Sequence, residues 1–381
     1  MAQAPKILLL GDYSNCQRTL ATGLRRLGCD VTLVSDGSGW QNCQRDIDIS
    51  RRPGRLGGVE LYARLSTNVR RQLRGYDIVS VNDPNFVALR PALIKKVFDR
   101  LRCDNGAVFL NAMSYDVPFL DMLAAKDCPL EYSEWFTAGA PARLYEAERA
   151  EWEKWHSPEL TGYHNYFYEH IDGAVAVLYE YFLALERTLP AEKIAYGGIP
   201  VDLDVFKQVE IPEKIDKVRL FLGRDRSRML VKGSDYLEEA ARRVVERHPG
   251  KAELVIVENR PFDEFISLLK SAHIVLDQIY SYTPATTALM AMAYGLNVVS
   301  GGENAYYDFI GEYENRPIIN APIDLEELTA TIEEAVMHPE LIAERGRRSR
   351  EFVEKHNECT LVARRYLDFW LSRTNKKSVP C

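Results

Sequence analysis

Short apolar runs alternate with helix-length segments along this chain, and that rhythm constrains the fold more tightly than any single motif. "KILLL" at 6–10 is almost wholly apolar and "GDYSN" breaks it; Leu20, Leu24 and Leu27 then recur at helical spacing, Gly28 stops the helix, and "DVTLVS" resumes an extended run. Strand, helix and strand in that order make a βαβ unit, whose strands are parallel and whose sheet is covered on both faces. Such strands read as continuous apolar runs rather than alternating ones. Further runs at "DIVSV" (77–81), "AVFLN" (107–111), "AVAVL" (174–178) and "KIAY" (193–196) extend the same sheet.

The rhythm restarts after residue 211. "VRLFLG" (218–223), "ELVIV" (253–257), "HIVLD" (273–277), "NVVSG" (297–301) and "PIIN" (317–320) alternate with helical segments near 233–247, 262–271, 284–294 and 324–336. A chain of 381 residues exceeds what one core usually supports, so the expectation is α/β with two Rossmann-like doubly wound domains. "PVDLDVFKQVEIPEKIDK", with two prolines and separated acids, is the natural hinge. The first domain is expected over 1–205 with an insertion at 116–172, the second over 206–355, and a C-terminal helix and tail over 356–381 that can pack back on the first. Open parallel sheets bind ligands beyond the carboxyl ends of their strands, so two sheets facing across a cleft would carry one ligand on each wall.

Composition removes several classes of function. A net charge of -7 offers no general attraction for nucleic acid. Seven cysteines without a CxxC pair read as reduced thiols of a cytoplasmic protein. The apolar stretch from Ala174 to Leu185 is interrupted by Glu180 and falls short of the roughly 20 residues that span a bilayer. No transmembrane segment is expected, and peripheral contact with a membrane stays open. Neither half carries GxGxxG after its first strand, which disfavours a dinucleotide oxidoreductase.

Two segments of the second half carry the candidate chemistry. In "LGRDRSRMLVKGSDYLEEA", Arg224, Arg226, Arg228 and Lys232 lie between a strand end and a helix, where forked guanidinium contacts and a mobile ammonium suit a diphosphate. Asp225 can neutralise only part of that cluster. In "SYTPATTALMAMAYGLNVVSGGE" (281–303), Thr283 reads as an N-cap, Pro284 as the first helical residue and Gly295 as the left-handed stop of a helix apolar on every side. The start of that helix, with Thr283, Ala285, Thr286 and Thr287, would present N–H groups and hydroxyls to the same phosphates.

The order "GR...KG.DYL.EA", "LLKSAHIVLDQ", "ALMAMAYGLNVVSGGE" resembles the C-terminal domain of retaining nucleotide-sugar glycosyltransferases of the two-Rossmann (GT-B) type, glycosyltransferase family 4-like. The likeness covers roughly 217–355 and, more weakly, 5–115. It implies that Arg226 or Arg228 and Lys232 hold the donor diphosphate, with Arg228 and Lys232 stabilising the leaving group, and that no cofactor or metal is needed. The paired glutamates of that family would fall on Tyr282 and Met290, neither a carboxylate; Glu303, aided by Tyr282, is the candidate replacement toward the donor ribose or sugar. Gly11, Asp12 and Ser14, on the first βα loop, would face the acceptor, a saccharide or lipid-linked saccharide.

The 116–172 segment differs in texture, holding Trp135, Trp152, Trp155, Tyr163, Tyr166 and Tyr168 with His156, His164 and His170. Aromatic faces suit sugar rings, and they equally suit the core of an inserted helical hairpin. The histidines do not form an i, i+4 pair, which speaks against zinc. Two rival functions remain beside glycosyl transfer: a nucleotide-sugar isomerase of the same fold, and a non-catalytic binding or interaction subunit.

Overall fold

The structure is a computed structural model that describes residues 4–37, 44–212, 214–258 and 260–374. Cys43, Cys381, the end of the C-terminal tail and Glu213 of the hinge segment lie outside the described residues. The strands are β1 (Lys6–Leu10), β2 (Asp30–Ser35), β3 (Ile47–Asp48), β4 (Ile78–Val81), β5 (Ala107–Ala112), β6 (Phe136–Thr137), β7 (Ala140–Pro141), β8 (Gly173–Ala176), β9 (Ile194–Tyr196), β10 (Val218–Gly223), β11 (Ala252–Val257), β12 (Ile274–Leu276), β13 (Asn297–Ser300) and β14 (Ile319–Asn320). Two compact units result. One comprises Met1–Ala125, Ala150–Pro200 and Cys359–Cys381, the other Lys126–Arg149 and Val201–Glu358.

The first unit holds a parallel sheet of order β3-β2-β1-β4-β5-β8-β9. Successive residues of a strand point to opposite faces, and here both faces are dry. Leu8 and Leu10 join Val79, Val81, Val108 and Leu110 in one core, closed by Phe98 and Phe167. Ile7 and Leu9 join Ile78, Phe109 and Val175 in the other, closed by Leu20 and Leu24 of helix Cys16–Arg26 and by Tyr366 and Trp370 of helix Cys359–Thr374. The two helices touch at Gly23, where a Cβ would stand 2.2 Å from the carbonyl oxygen of Cys359. Only glycine permits that approach.

The second unit holds a parallel sheet of order β11-β10-β12-β13-β14. Its core combines Leu220, Leu222, Ile274 and Leu276 with Leu237 and Ala241 of helix Ser234–Arg247. The apolar helix of the sequence is Thr286–Ala293, with Ala288, Leu289, Ala291, Met292 and Ala293 buried, and Gly295 takes the left-handed conformation at φ 81°. Its start departs from expectation. Thr283 is not the N-cap: Ala285 occupies that position without a side-chain bond, because the Ser281 hydroxyl holds both the N–H and the carbonyl of Thr283 in a tight turn before the helix begins.

Segment 126–149 belongs by its contacts to the second unit, although the first domain was expected to run unbroken to 205. The remainder of the insertion packs into the first unit. Tyr163 and Tyr168 are buried in its core with Tyr166 packed against it, and Tyr166 stacks on His170 at 4.0 Å, so these aromatics form core rather than a sugar platform. No described helix is long and apolar enough to cross a membrane.

Candidate functional site

Of the four cations expected to converge, Arg224 and Arg226 lie at one place and Lys232 at another. Arg224 is paired with Glu238 of helix Ser234–Arg247 and with Glu258, which follows β11. Arg226 bonds the same Glu258 at 3.0 Å, and these guanidinium bonds hold the Glu258 carboxyl below its ordinary range. Asp225 is spent on the local turn, accepting from the Ser227 N–H at 2.9 Å. Because β10 lies between β11 and β12, arginines that bond Glu258 lean toward the β11 edge. Arg224 and Arg226 are therefore paired with two glutamates the sequence did not single out.

Lys232 goes the other way. Its Nζ donates to Asp277 Oδ1 at 2.8 Å, and Asp277, just past β12, also accepts from the Ser300 hydroxyl at the end of β13 at 3.2 Å. The Ile279 N–H donates to the Lys232 carbonyl at 3.0 Å, fastening the start of helix Ser234–Arg247 to the loop that leads to Thr286. This is the carboxyl edge of the central strands, where an open α/β sheet binds its ligand. An ammonium has three donors, so one bond to Asp277 orients it without exhausting it. Asp277 could have been suspected from its place at the end of "HIVLD".

The loop after β12 is knitted to the one after β13. A Cβ on Gly301 would lie 2.1 Å from the Ser281 carbonyl oxygen, so the backbones touch there. The Glu303 N–H donates to the Tyr282 carbonyl at 3.2 Å. Thr286 and Thr287 are half-buried at the helix start, and their hydroxyls have no partner among the described residues. The backbone N–H groups of that first turn have no intrahelical acceptor. Met290, half-buried, brings no carboxylate to the site.

Glu303 is held from two sides. Its Oε1 accepts from Tyr132 Oη at 2.7 Å and from Asn320 Nδ2 at 2.7 Å. Tyr282 accepts the Glu131 N–H on its hydroxyl at 2.7 Å and stacks on Tyr132 with centroids 4.8 Å apart. Burial pushes the Tyr282 phenol up to about 12, so it stays protonated. Tyr132 lies 171 positions before Glu303, and nothing in the sequence announces the pairing.

In the first unit, Gly11 has φ 85°, and a Cβ there would meet Asn82 Oδ1 at 1.9 Å. Ser14 and Asn15 follow at φ 51° and 69°, an uncommon conformation for residues with side chains. Asp12 closes this loop by accepting the Gln17 N–H on Oδ1 at 2.9 Å, while its buried Oδ2 has no partner among the described residues. Burial raises the Asp12 carboxyl to about 6, against the lowering pull of nearby backbone N–H groups. The histidines of the insertion serve structure: His164 Nδ1 accepts from the Val117 N–H at 3.2 Å, and His156 and His170 each contact the carbonyl four residues before them. No group of three His, Cys, Asp or Glu among the described residues is placed to share a metal ion.

No family model matches the chain, and no curated protein matches it. Solved structures do match its fold. Sucrose-phosphate synthase from Thermosynechococcus elongatus gives a TM-score of 0.62 at 14% identity, covering 98% of this chain and 100% of that one. HepE of Anabaena, solved with UDP and glucose, gives 0.58 at 12% identity over 97% and 100%. A Listeria monocytogenes protein described as a UDP-N-acetylglucosamine 2-epimerase gives 0.52 at 13% over 100% and 99%. Likeness at such identities, over nearly the whole chain, establishes the fold: two parallel-sheet Rossmann units of the GT-B type.

Proposed function

We propose that the protein is a glycosyltransferase that takes a sugar from a nucleotide-diphosphate donor held by the second unit and transfers it, with retention, to a saccharide or lipid-linked saccharide. The observation that carries this reading is Lys232, pinned at the ligand edge of the sheet by Asp277, which lies on the loop that leads to the first turn of Thr286–Ala293. An ammonium and a helix terminus aimed at one place are suited to the charge that develops on a leaving diphosphate. Arg228, between β10 and helix Ser234–Arg247 with Lys232, is the second cation for that charge. Arg224 and Arg226 brace the loop through Glu238 and Glu258 rather than holding phosphate first-hand.

In this scheme the bond from the anomeric carbon to the diphosphate oxygen breaks. The acceptor oxygen bonds to that carbon on the same face, and its proton passes to the departing phosphate oxygen. No protein nucleophile is required. Gly11, Asp12 and Ser14, on the first βα loop, serve the acceptor. The solved complex of HepE with UDP and glucose recommends uridine donors as the first to test.

The test is a panel of UDP-, GDP- and ADP-sugars, following melting temperature and slow donor hydrolysis. Stabilisation with hydrolysis supports the transferase. Stabilisation without turnover favours a binding subunit, epimer formation favours an isomerase, and no stabilisation by any donor removes the nucleotide-sugar reading.

A further inference from the structure

We infer that the Tyr132 hydroxyl, carried on the inserted segment 126–149, positions the Glu303 carboxylate to receive the ribose hydroxyls of the donor nucleotide. The inference rests on the second unit being the donor lobe. Its physical content is the asymmetry of the carboxylate. Oε1 takes both bonds, from Tyr132 and from Asn320, and Oε2 has no partner among the described residues. The Asn320 amide is itself oriented, because its Oδ1 accepts the Gly302 N–H at 3.0 Å and its Nδ2 is left to face Glu303. A half-buried carboxylate clamped at one oxygen presents the other at a set angle, and an ionised carboxylate accepts hydroxyl bonds that a thioether such as Met290 cannot.

The segment that supplies Tyr132 is built to hold still. Ala138 and Gly139 both have positive φ, 50° and 74°, forming the two-residue turn between β6 and β7. The Ala138 N–H donates to the Glu131 carbonyl at 2.7 Å and the Ala142 N–H to the Trp135 carbonyl at 2.8 Å. Arg143 then pairs with Asp235 and lies over the Tyr236 ring at 4.5 Å, anchoring the far end of the segment on helix Ser234–Arg247. Between these anchors the Tyr132 ring rests on Tyr282, so its hydroxyl is delivered to Glu303 by packing as well as by the bond itself.

The experiment measures calorimetric affinities of UDP, GDP and ADP and of their 2′,3′-dideoxy counterparts for the parent, Tyr132→Phe and Glu303→Gln. Hydrogen bonds to a charged group are worth enough that the parent should prefer the ribonucleotide by about tenfold or more. Tyr132→Phe keeps the stacked ring and an unchanged melting temperature, yet its ribose preference should fall to about threefold or less, as should that of Glu303→Gln. A role confined to packing would leave that ratio where it was. The inference is overturned if Tyr132→Phe retains the parental preference, or binds diphosphates more tightly because the hydroxyl was an obstruction. If Glu303→Gln alone abolishes the preference, the donor lobe stands and Tyr132 loses its role. Should the parent bind none of the three diphosphates, the donor-lobe reading fails and takes this inference with it.

Discussion

Replacing Lys232 with alanine probes the site and its energetics together. The Asp277 side chain is 0% exposed and that of Lys232 19% exposed, with 2.8 Å between their charged atoms. Without the ammonium, the buried carboxylate keeps only the Ser300 hydroxyl at 3.2 Å among its side-chain partners. Orphaning one member of a buried pair costs about 3–5 kcal/mol, and the partial exposure of Lys232 lowers the expectation to about 2–3 kcal/mol. For a domain of this size that corresponds to a drop of about 5–10 °C in the melting of the second unit. Asp277→Asn should cost less, and the double variant should recover about 1 kcal/mol or more relative to additivity, because neither charge is then stranded. Ligand binding separates the two roles. Lys232→Ala should lose stabilisation by UDP, whereas Asp277→Asn, whose ammonium is released, should keep it. Scanning calorimetry with and without UDP reads both effects. A Lys232→Ala protein that melts like the parent refutes the pair energetics, and one that binds UDP as tightly as the parent refutes the diphosphate assignment.

Two further outcomes concern the scaffold. Burial would raise the Glu312 carboxyl, but bonds from Lys355 at 2.6 Å, His356 at 2.8 Å and the Asn315 and Glu314 N–H groups hold it down to about 2. A depressed folded-state value stabilises above the unfolded value of about 4.5 and is lost as pH falls toward 2, so Glu312→Gln should flatten the acid limb of the melting curve between those values; parallel acid limbs for the two proteins would sink the claim. At Gly23, alanine is the better helix former by up to about 1 kcal/mol, yet its Cβ would sit 2.2 Å from the Cys359 carbonyl oxygen, so overpacking should win. Gly23→Ala is expected to destabilise the first unit by about 1–3 kcal/mol in urea titration, and an unchanged midpoint would show that the helices part without cost.

What could be read from the residues alone is local. The apolar runs at 6–10 and 218–223 are strands because only a sheet dry on both faces accepts such sequences, and Gly295 stops its helix by conformational freedom. Lys232 and Asp12 stand out as candidates because strand-to-helix loops fall on the ligand edge of a parallel sheet. Thr283 reads as an N-cap in the sequence and is not one in the structure, because a hydroxyl two residues earlier, Ser281, bonds its backbone before the helix begins.

The tertiary structure decided which charges meet. Glu258 lies 34 residues beyond Arg224 and Asp277 lies 45 beyond Lys232, and strand order, with β10 between β11 and β12, sends the arginines one way and the lysine the other. That order has no signature in the spacing of the loops. Tyr132 meets Glu303 across 171 positions because closing a longer loop costs little additional entropy, so distance along the chain neither forbids nor predicts a contact. Propensity and pattern act over one turn or one strand; partnership is set by the packing of whole elements.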